Sequence, residues 1–253
     1  MALISIASGL ALEGKKTYSF AIAPFASSRC YEFTKLNAGL MKIPIKIVGV
    51  GAGFGYDDSG PTHHTTEDIS IMRAIPNLKL VSPSFSKMAE AFAEISYRDD
   101  SPYYIRLDRK VLPDLSEYYA FDNFQTGFRE IISGSNIAIV ATGVTVHTAL
   151  KVQKKLLEQG EKIGVIDLYR LKPINPEFKE ILSKYKHIIS LEEHLLDGGL
   201  GSILAEIIVD NHLNISLKRI GVKDYLYEYG RDYIHQKYGL DADSVIKEIE
   251  KLG

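Results

Sequence analysis

Short apolar runs alternate with amphipathic stretches along the chain, a pattern that predicts alternating strands and helices. The first half predicts an entry helix closed by Gly14. It continues as strand 17–22, helix 27–39, strand 43–50, helix 66–74, strand 78–81, a helix capped by Ser84 with apolar spacing at Ala89, Phe92, Ile95 and Tyr97, and strand 103–107. The entry helix itself spans residues 1–12.

The second half alternates in the same way after a polar, proline-containing and aromatic stretch. Its predicted elements are strand 137–141, a helix to 159, strand 163–168, helix 176–185, strand 187–191, a helix to 209, strand 216–220 and helix 242–251. Such alternation is typical of parallel sheets covered by helices on both faces. We therefore predict an α/β fold of two domains, 1–115 and 136–253, joined by a connector at 116–135.

Composition and charge narrow the possible functions. The 253 residues are 45% hydrophobic and 25% charged, as in ordinary globular proteins. A formal net charge of −2 provides no basic surface for nucleic acid or an anionic membrane. The only cysteine, Cys30, excludes an internal disulfide and is typical of a cytoplasmic protein. The first apolar run has no preceding Lys or Arg, so we interpret it as a core helix and not as a signal peptide.

The most informative stretch is VGVGAGFGYDDSGPTHHTTEDISIMRAIP, from Val48 to Pro76. A buried strand ends in a glycine-rich turn, and a Gly-Pro turn then leads to His63 and His64. Glu67 and Asp68 follow at the head of a predicted helix. This order places polar groups at the carboxyl edge of a sheet, where α/β enzymes bind their ligands.

The same residues allow other interpretations. Two histidines followed by two acids could ligate zinc in a hydrolase, although adjacent histidines point to different faces. They could also pack, with the acids complementing a helix N-terminus. The glycines of DGGLGS, 197–202, depart from the spacing of a dinucleotide fingerprint and favour tight helix–sheet packing.

Two further side chains follow strand ends. Arg109 could bind a phosphate, or could form a surface ion pair with Asp108 or Asp114. Phe25 could stack on a flat heterocycle, or pack in the core.

Together these pieces resemble the second half of transketolase-type thiamine diphosphate enzymes. The matching stretches are SGLALEGKK, the APF loop, PIKIVGVGAG, SGPTHH, TEDISIMRAIPN, YYIRLDR and EEHLLDGGLGS, and they extend over nearly the whole chain. The family includes deoxyxylulose-phosphate synthase and the beta subunits of 2-oxoacid dehydrogenases. SGPTHH and MRAIPN resemble most closely transketolase itself, or the C-terminal subunit of a split transketolase.

The resemblance implies a pyrimidine-binding domain followed by a transketolase C-terminal domain. It implies that Phe25 packs on the aminopyrimidine ring, with Arg29 and Tyr31 along the same wall. It makes His63 the catalytic histidine beside the reactive carbon. Arg109 would bind the phosphate of the acceptor sugar.

Two other positions implied to bind substrate depart from the family pattern. Ser59 stands where many transketolases have an aspartate that contacts a substrate hydroxyl, and Asp58 precedes it. His64 stands where glutamine is common. A phosphate-contacting histidine is replaced near Gly51.

The front of the chain departs further. In register, the family glutamate that activates the pyrimidine would fall immediately before Met1, and no Gly-Asp-Gly magnesium motif is present. We therefore expect a fragment, inactive alone, whose partner subunit or domain binds the diphosphate and Mg²⁺. A homodimer that transfers a two-carbon ketol group between sugar phosphates is the expected assembly. The alternatives are a deoxyxylulose-phosphate synthase-like or 2-oxoacid dehydrogenase beta-like fragment, and a non-catalytic dimer-forming fragment.

Overall fold

The computed structural model describes residues 2–119 and 124–252, which form two five-stranded sheets flanked by helices. The strands are β1 (Tyr18–Ile22), β2 (Lys46–Val50), β3 (Lys79–Val81), β4 (Tyr103–Leu107), β5 (Phe128–Ile132), β6 (Ile137–Ala141), β7 (Gly164–Leu168), β8 (Arg170–Lys172), β9 (His187–Leu195) and β10 (Ser216–Val222). The helices are α1 (Ala2–Leu12), α2 (Ala23–Ala26), α3 (Tyr31–Thr34), α4 (Asp68–Arg73), α5 (Ser86–Arg98), α6 (Thr145–Glu158), α7 (Phe178–Leu182), α8 (Leu200–Asp210), α9 (Arg231–Tyr238) and α10 (Ala242–Glu250).

Each sheet has four parallel strands and one antiparallel edge strand. The first has the order β1-β2-β4-β3-β8, and the second β10-β9-β6-β7-β5. The pairs with β8 and with β5 are antiparallel. Apolar side chains on both faces of the inner strands are buried, as helix-covered parallel sheets require. The predicted α/β fold class is therefore confirmed.

The two halves of the chain share more than a connector. Strand β8 comes from the second half, yet it pairs with β3 of the first sheet, with Leu80 opposite Lys172 and Val81 opposite Arg170. Both hydrophobic cores also contain residues of both halves, such as Phe92 with Ile189 in one core. The halves are consequently held together by a common sheet and common cores.

Several elements differ from the sequence-based expectation. Strands β5 and β8 and helix α9 were not predicted, and β5 lies inside the predicted connector. Residues 120–123 of that connector, and Met1 of the entry helix, lie outside the described residues. The predicted helix 27–39 is divided into a 3₁₀ turn, α3 and a π-helical turn at Lys35–Leu40.

The prediction that Ser84 caps helix α5 is wrong. Phe85 holds the N-cap position in an extended conformation and makes no side-chain capping bond. The Ser84 hydroxyl instead donates to the buried carboxylate of Asp167, because that acceptor lies beneath it in the core. No helix in the described part of the chain is long and apolar enough to cross a membrane.

Candidate active site

A cleft of about 580 Å³ lies at the carboxyl edge of the first sheet. Parallel strands bring the segments that follow them to one edge, so the residues after β1 and after β2 meet there. A third segment follows β10 in the second half. The lining residues are Pro24, Phe25, Ser28, Arg29, Pro61, Thr62, His64, Glu67, Tyr225 and Tyr227.

The ring of Phe25, on the wall of the cleft, contacts the imidazole of His63, which is not itself among the lining residues. Their centroids are 5.3 Å apart and the planes are inclined by 73°, which is an edge-to-face contact. Phe25 belongs to α2, where Pro24 occupies the first turn that proline tolerates. The ring is half-buried, and the guanidinium carbon of Arg29 lies 4.3 Å from its centroid. The structure therefore brings these three predicted site residues together.

Backbone hydrogen bonds shape the loop that carries the two histidines. Gly53 and Gly60 have φ angles of 58° and 74°, a region that residues with side chains rarely adopt. Gly53 exchanges two backbone hydrogen bonds with Thr65, of 3.1 and 2.8 Å, which close the base of the loop. The N–H groups of His63 and His64 both donate to the carbonyl of Gly60, at 3.0 and 3.1 Å. The position of both imidazoles is thus set by a fixed turn.

His63 is half-buried, and one of its ring nitrogens is already engaged. Its Nδ1 lies 3.0 Å from the Thr62 hydroxyl oxygen. Within residues 2–119 and 124–252, no hydrogen bond involves its Nε2. If the hydroxyl donates to Nδ1, the ring proton is on Nε2, and that N–H is available to a ligand.

His64 points inward from the same turn. It is 3% exposed, and its ring centroid lies 5.1 Å from that of Phe54. Burial lowers the pKa of His64, and the opposing effects of Glu193, Asp57 and the Leu226 backbone do not reverse this. Among the described residues, neither ring nitrogen makes a hydrogen bond of normal geometry. A neutral imidazole carries one donor and one acceptor, and in His64 both nitrogens lie beneath the protein surface.

Arg109 and Ser59 both donate to Asp58, and the ring of Tyr56 contacts both Arg109 and His63. The Tyr56 ring lies 6.2 Å from that of His63, and the guanidinium carbon of Arg109 lies 4.5 Å from the Tyr56 centroid. Arg109 donates to Asp58 at 2.8 Å, and the Ser59 hydroxyl donates to the same carboxylate at 2.9 Å. The hydrogen bonds from Ser59 and Arg109 keep the pKa of Asp58 below its ordinary value. Arg109 thus forms a surface ion pair, with a carboxylate other than the two considered from the sequence.

Tyr56 is a site residue that the sequence reasoning missed. Its ring occupies the space that a side chain at position 51 would need, since a Cβ there would lie 2.1 Å from the Tyr56 Cδ2. Gly51 also has a φ of 91°. The sequence feature that could have identified Tyr56 is its position directly after the glycine-rich run.

Tyr31 lies behind the cleft, and Glu67 lies on its wall at the head of α4, as the sequence predicts for Glu67. Tyr31 is half-buried against the hydrophobic core and is not among the residues that line the cleft. Glu67 does line the cleft. Burial raises the pKa of Glu67, while hydrogen bonds from Thr66 act in the opposite direction.

The residues with metal-ligand character do not converge. Asp68 is fully buried and accepts bonds of 2.9 Å from Arg106 Nε and from the Tyr104 hydroxyl. In residues 2–119 and 124–252, no three His, Cys, Asp or Glu side chains form a group that could hold a metal ion. The metal-hydrolase alternative therefore lacks a ligand set in this part of the chain.

The glycine run at Gly198–Gly201 serves packing. The N-terminus of α8 is occupied by the carboxylate of Glu192, which accepts from the N–H groups of Leu200 and Gly201 at 2.5 and 2.8 Å. A Cβ at Gly199 would lie 2.1 Å from that carboxylate. Burial raises the pKa of Glu192 to about 7. The protein's own carboxylate thus fills the position that a dinucleotide phosphate would take.

A buried ionic network connects the histidine loop to the second half of the chain. Glu193 accepts from Arg231 Nε at 2.7 Å and Nη2 at 2.6 Å, from the Phe54 N–H at 3.0 Å and from His235. Arg231 also donates to Asp108 at 2.7 Å. Burial by itself would raise the pKa of Glu193, but Arg231 and His235 keep it well below its usual range. Sequence reasoning missed this network, because its members are far apart along the chain.

Family models match both halves of the chain. The pyrimidine-binding domain of transketolase matches residues 1–114, and the C-terminal domain of transketolase matches residues 129–245. A solved structure described as a split gene transketolase, inactive beta4 tetramer, superimposes with a TM-score of 0.89 and 30% identity over 99% of this chain and 80% of that one. Fold and site therefore define a protein of the thiamine diphosphate-dependent, transketolase-type class.

Two curated relatives support this classification. An apulose-4-phosphate transketolase subunit of Actinobacillus succinogenes is 33% identical over 248 residues, which are 96% of this chain and 79% of that protein. A protein provisionally named as a transketolase C-terminal section, from Methanocaldococcus jannaschii, is 33% identical over 98% of this chain and 78% of that protein. This chain belongs to the transketolase family and corresponds to its C-terminal portion, as the sequence predicts. Membership implies dependence on thiamine diphosphate.

The cleft fits the pyrimidine end of that cofactor. A half-buried aromatic ring provides a flat apolar surface, and Thr62 and Glu67 supply polar groups on the same cleft. Ligand sites of this kind combine an apolar wall with a few polar groups.

Proposed function

We propose that this chain is the pyrimidine-binding and C-terminal portion of a transketolase that transfers a two-carbon ketol group between sugar phosphates. The contact between Phe25 and His63 at the cleft carries the proposal, because it places a stacking surface next to a group that can transfer protons. A partner subunit or domain would hold the diphosphate and Mg²⁺, so the chain alone would be inactive. The similar proteins described as a transketolase subunit and as a split gene product support this division.

The wall of the cleft would hold the aminopyrimidine ring. Phe25 offers its ring as a platform, and the guanidinium of Arg29 lies against that ring. Tyr31 would act from behind, by packing the segment that carries Phe25 against the core. When bound, thiamine diphosphate supplies the nucleophilic carbon for carbon–carbon bond cleavage and formation.

His63 would interact with the carbonyl group of the substrate. With Thr62 donating to Nδ1, the Nε2–H can donate to a carbonyl oxygen and stabilise the negative charge that develops there. In the other tautomer, Nε2 is a base that can accept a substrate hydroxyl proton. Contact with Phe25 fixes the imidazole plane in either case.

Three further residues would bind the sugar. Arg109 would exchange its exposed partner Asp58 for the phosphate, to which a guanidinium can donate two parallel bonds. Ser59 would meet a substrate hydroxyl next to Asp58. His64 lies in the cleft wall and would contact the sugar there.

The assembly we propose is a cytoplasmic homodimer of this portion, joined to the pyrophosphate-binding partner. Exposed apolar side chains on α1, including Ile6 and Leu12 at 62% and 65% exposure, supply surface for such association.

Calorimetric titration of thiamine diphosphate into the complex with the pyrophosphate-binding partner, in the presence of Mg²⁺, tests the proposal. Phe25→Ala should weaken binding roughly fivefold, since aromatic stacking contributes about 1 kcal/mol. Phe20→Ala is the matched control, because Phe20 is 66% exposed on β1 and does not line the cleft. Equal affinity in wild type and Phe25→Ala would contradict the proposal, as would an absence of binding by the wild-type complex.

A further inference from the structure

A segment of the C-terminal half carries three tyrosines at alternate positions. Residues 225–230 follow β10 without regular secondary structure, with the sequence Tyr225, Leu226, Tyr227, Glu228, Tyr229 ahead of a glycine. Leu226 is 4% exposed and packs in the core, whereas the tyrosines are 50%, 74% and 64% exposed. Glu228 is held by side chains of α9. The three tyrosines are thus exposed at alternate positions, and two of them, Tyr225 and Tyr227, line the cleft.

This segment is fixed against the loop that carries the histidines. The Gly230 N–H donates to the Asp57 carbonyl at 3.0 Å, and the Arg231 N–H donates to the Asp57 carboxylate at 2.9 Å. The Arg231 side chain is anchored in the buried ionic network with Glu193. The Leu226 backbone lies close enough to His64 to influence its pKa. Buried contacts therefore hold the segment that carries the three tyrosines in place.

Tyr225 and Tyr227 line the same cleft as Phe25 and Arg29. Its volume of about 580 Å³ lies within the range of small-molecule sites, roughly 300–1,000 Å³. A phenol ring offers an apolar face for the C–H groups of a sugar and a hydroxyl for its oxygens, and few rotamers are lost when it binds. Substrate carbons beyond the reacting centre need such a surface.

We propose that Tyr225 and Tyr227 bind the distal carbons of the sugar and determine which chain length the enzyme prefers. This inference rests on the proposed function, and it assigns a role in substrate selection to the C-terminal half. Under this proposal a pentose phosphate would extend to both rings, whereas a three-carbon aldose phosphate would end before them.

The test compares two phosphorylated acceptors, which differ in the number of carbons between the aldehyde and the phosphate. In the complex with the pyrophosphate-binding partner, kcat/KM is measured for ribose 5-phosphate and for glyceraldehyde 3-phosphate. Replacing both tyrosines (Tyr225→Ala with Tyr227→Ala) should lower kcat/KM for the pentose about tenfold and for the triose less than about threefold. The double phenylalanine variant should stay within about threefold of wild type for the pentose, because it keeps both rings.

Tyr233→Ala is the control, since Tyr233 is 55% exposed on α9 and does not line the cleft. Equal losses for both acceptors, or a loss matched by Tyr233→Ala, would overturn the inference and indicate contact with the partner subunit instead. Calorimetric binding of ribose 5-phosphate to the thiamine diphosphate-loaded complex gives a readout without turnover. If the double alanine variant binds the pentose phosphate as tightly as wild type, the inference is refuted, even where no transfer is detected. If the wild-type complex does not bind the cofactor, the proposed function is refuted instead.

Discussion

Removal of one charge from the buried network should destabilise the protein more than removal of a surface charge. The perturbation is Glu193→Gln, which keeps the shape of the side chain and an acceptor for the Phe54 N–H. It leaves Arg231 and His235 facing a neutral amide. The side chains of Glu193 and Arg231 are 2% and 10% exposed, so water cannot replace the lost charge.

The expected loss of stability depends on the partners that Arg231 keeps after the substitution. Breaking a buried ion pair by removing one partner costs about 3–5 kcal/mol. Arg231 retains Asp108 at 2.7 Å, so we expect the lower end, about 3 kcal/mol. The matched control is Glu206→Gln. Glu206 pairs with Arg73 at the surface with its side chain 56% exposed, and its loss should cost less than about 1 kcal/mol.

Urea unfolding followed by far-ultraviolet circular dichroism measures both variants. The folded-state pKa of Glu193 is depressed, so its stabilising contribution is complete above the unfolded pKa, about 4.3, and is lost as the pH falls through the folded-state value. Wild type should therefore lose stability below about pH 4.3 more steeply than Glu193→Gln. If Glu193→Gln loses no more stability than Glu206→Gln at pH 7, the reasoning about this network is refuted.

Three other substitutions test the site. His63→Ala should lower ketol transfer by about two orders of magnitude or more while cofactor binding is nearly kept, and wild-type turnover would remove His63 from the site. Arg109→Ala should raise KM mainly for phosphorylated acceptors; equal losses with unphosphorylated sugars would argue against a phosphate contact. Gly51→Ala forces a methyl group against the Tyr56 ring at a positive φ, so urea unfolding should report a loss of roughly 1–3 kcal/mol, and an unchanged midpoint would contradict the close approach.

Prediction from the sequence succeeded where the signal was local. The strands β4 and β6 lie at the predicted residues, because each is a short apolar run between turn residues. The strands β5 and β8 were missed. Each sits at a sheet edge, where the antiparallel partner and not the segment's own pattern decides that it is a strand.

The order of motifs determined the family and the fold class of this chain, and it singled out the loop of His63. A strand followed by a glycine-rich turn and a helix depends on backbone preferences of neighbouring residues, which the sequence carries directly. Tertiary structure alone decided that Asp58 is the partner of Arg109 and that Tyr225 and Tyr227 line the cleft. Those contacts join residues distant along the chain, and the energy of bringing them together depends on the packing of the whole fold.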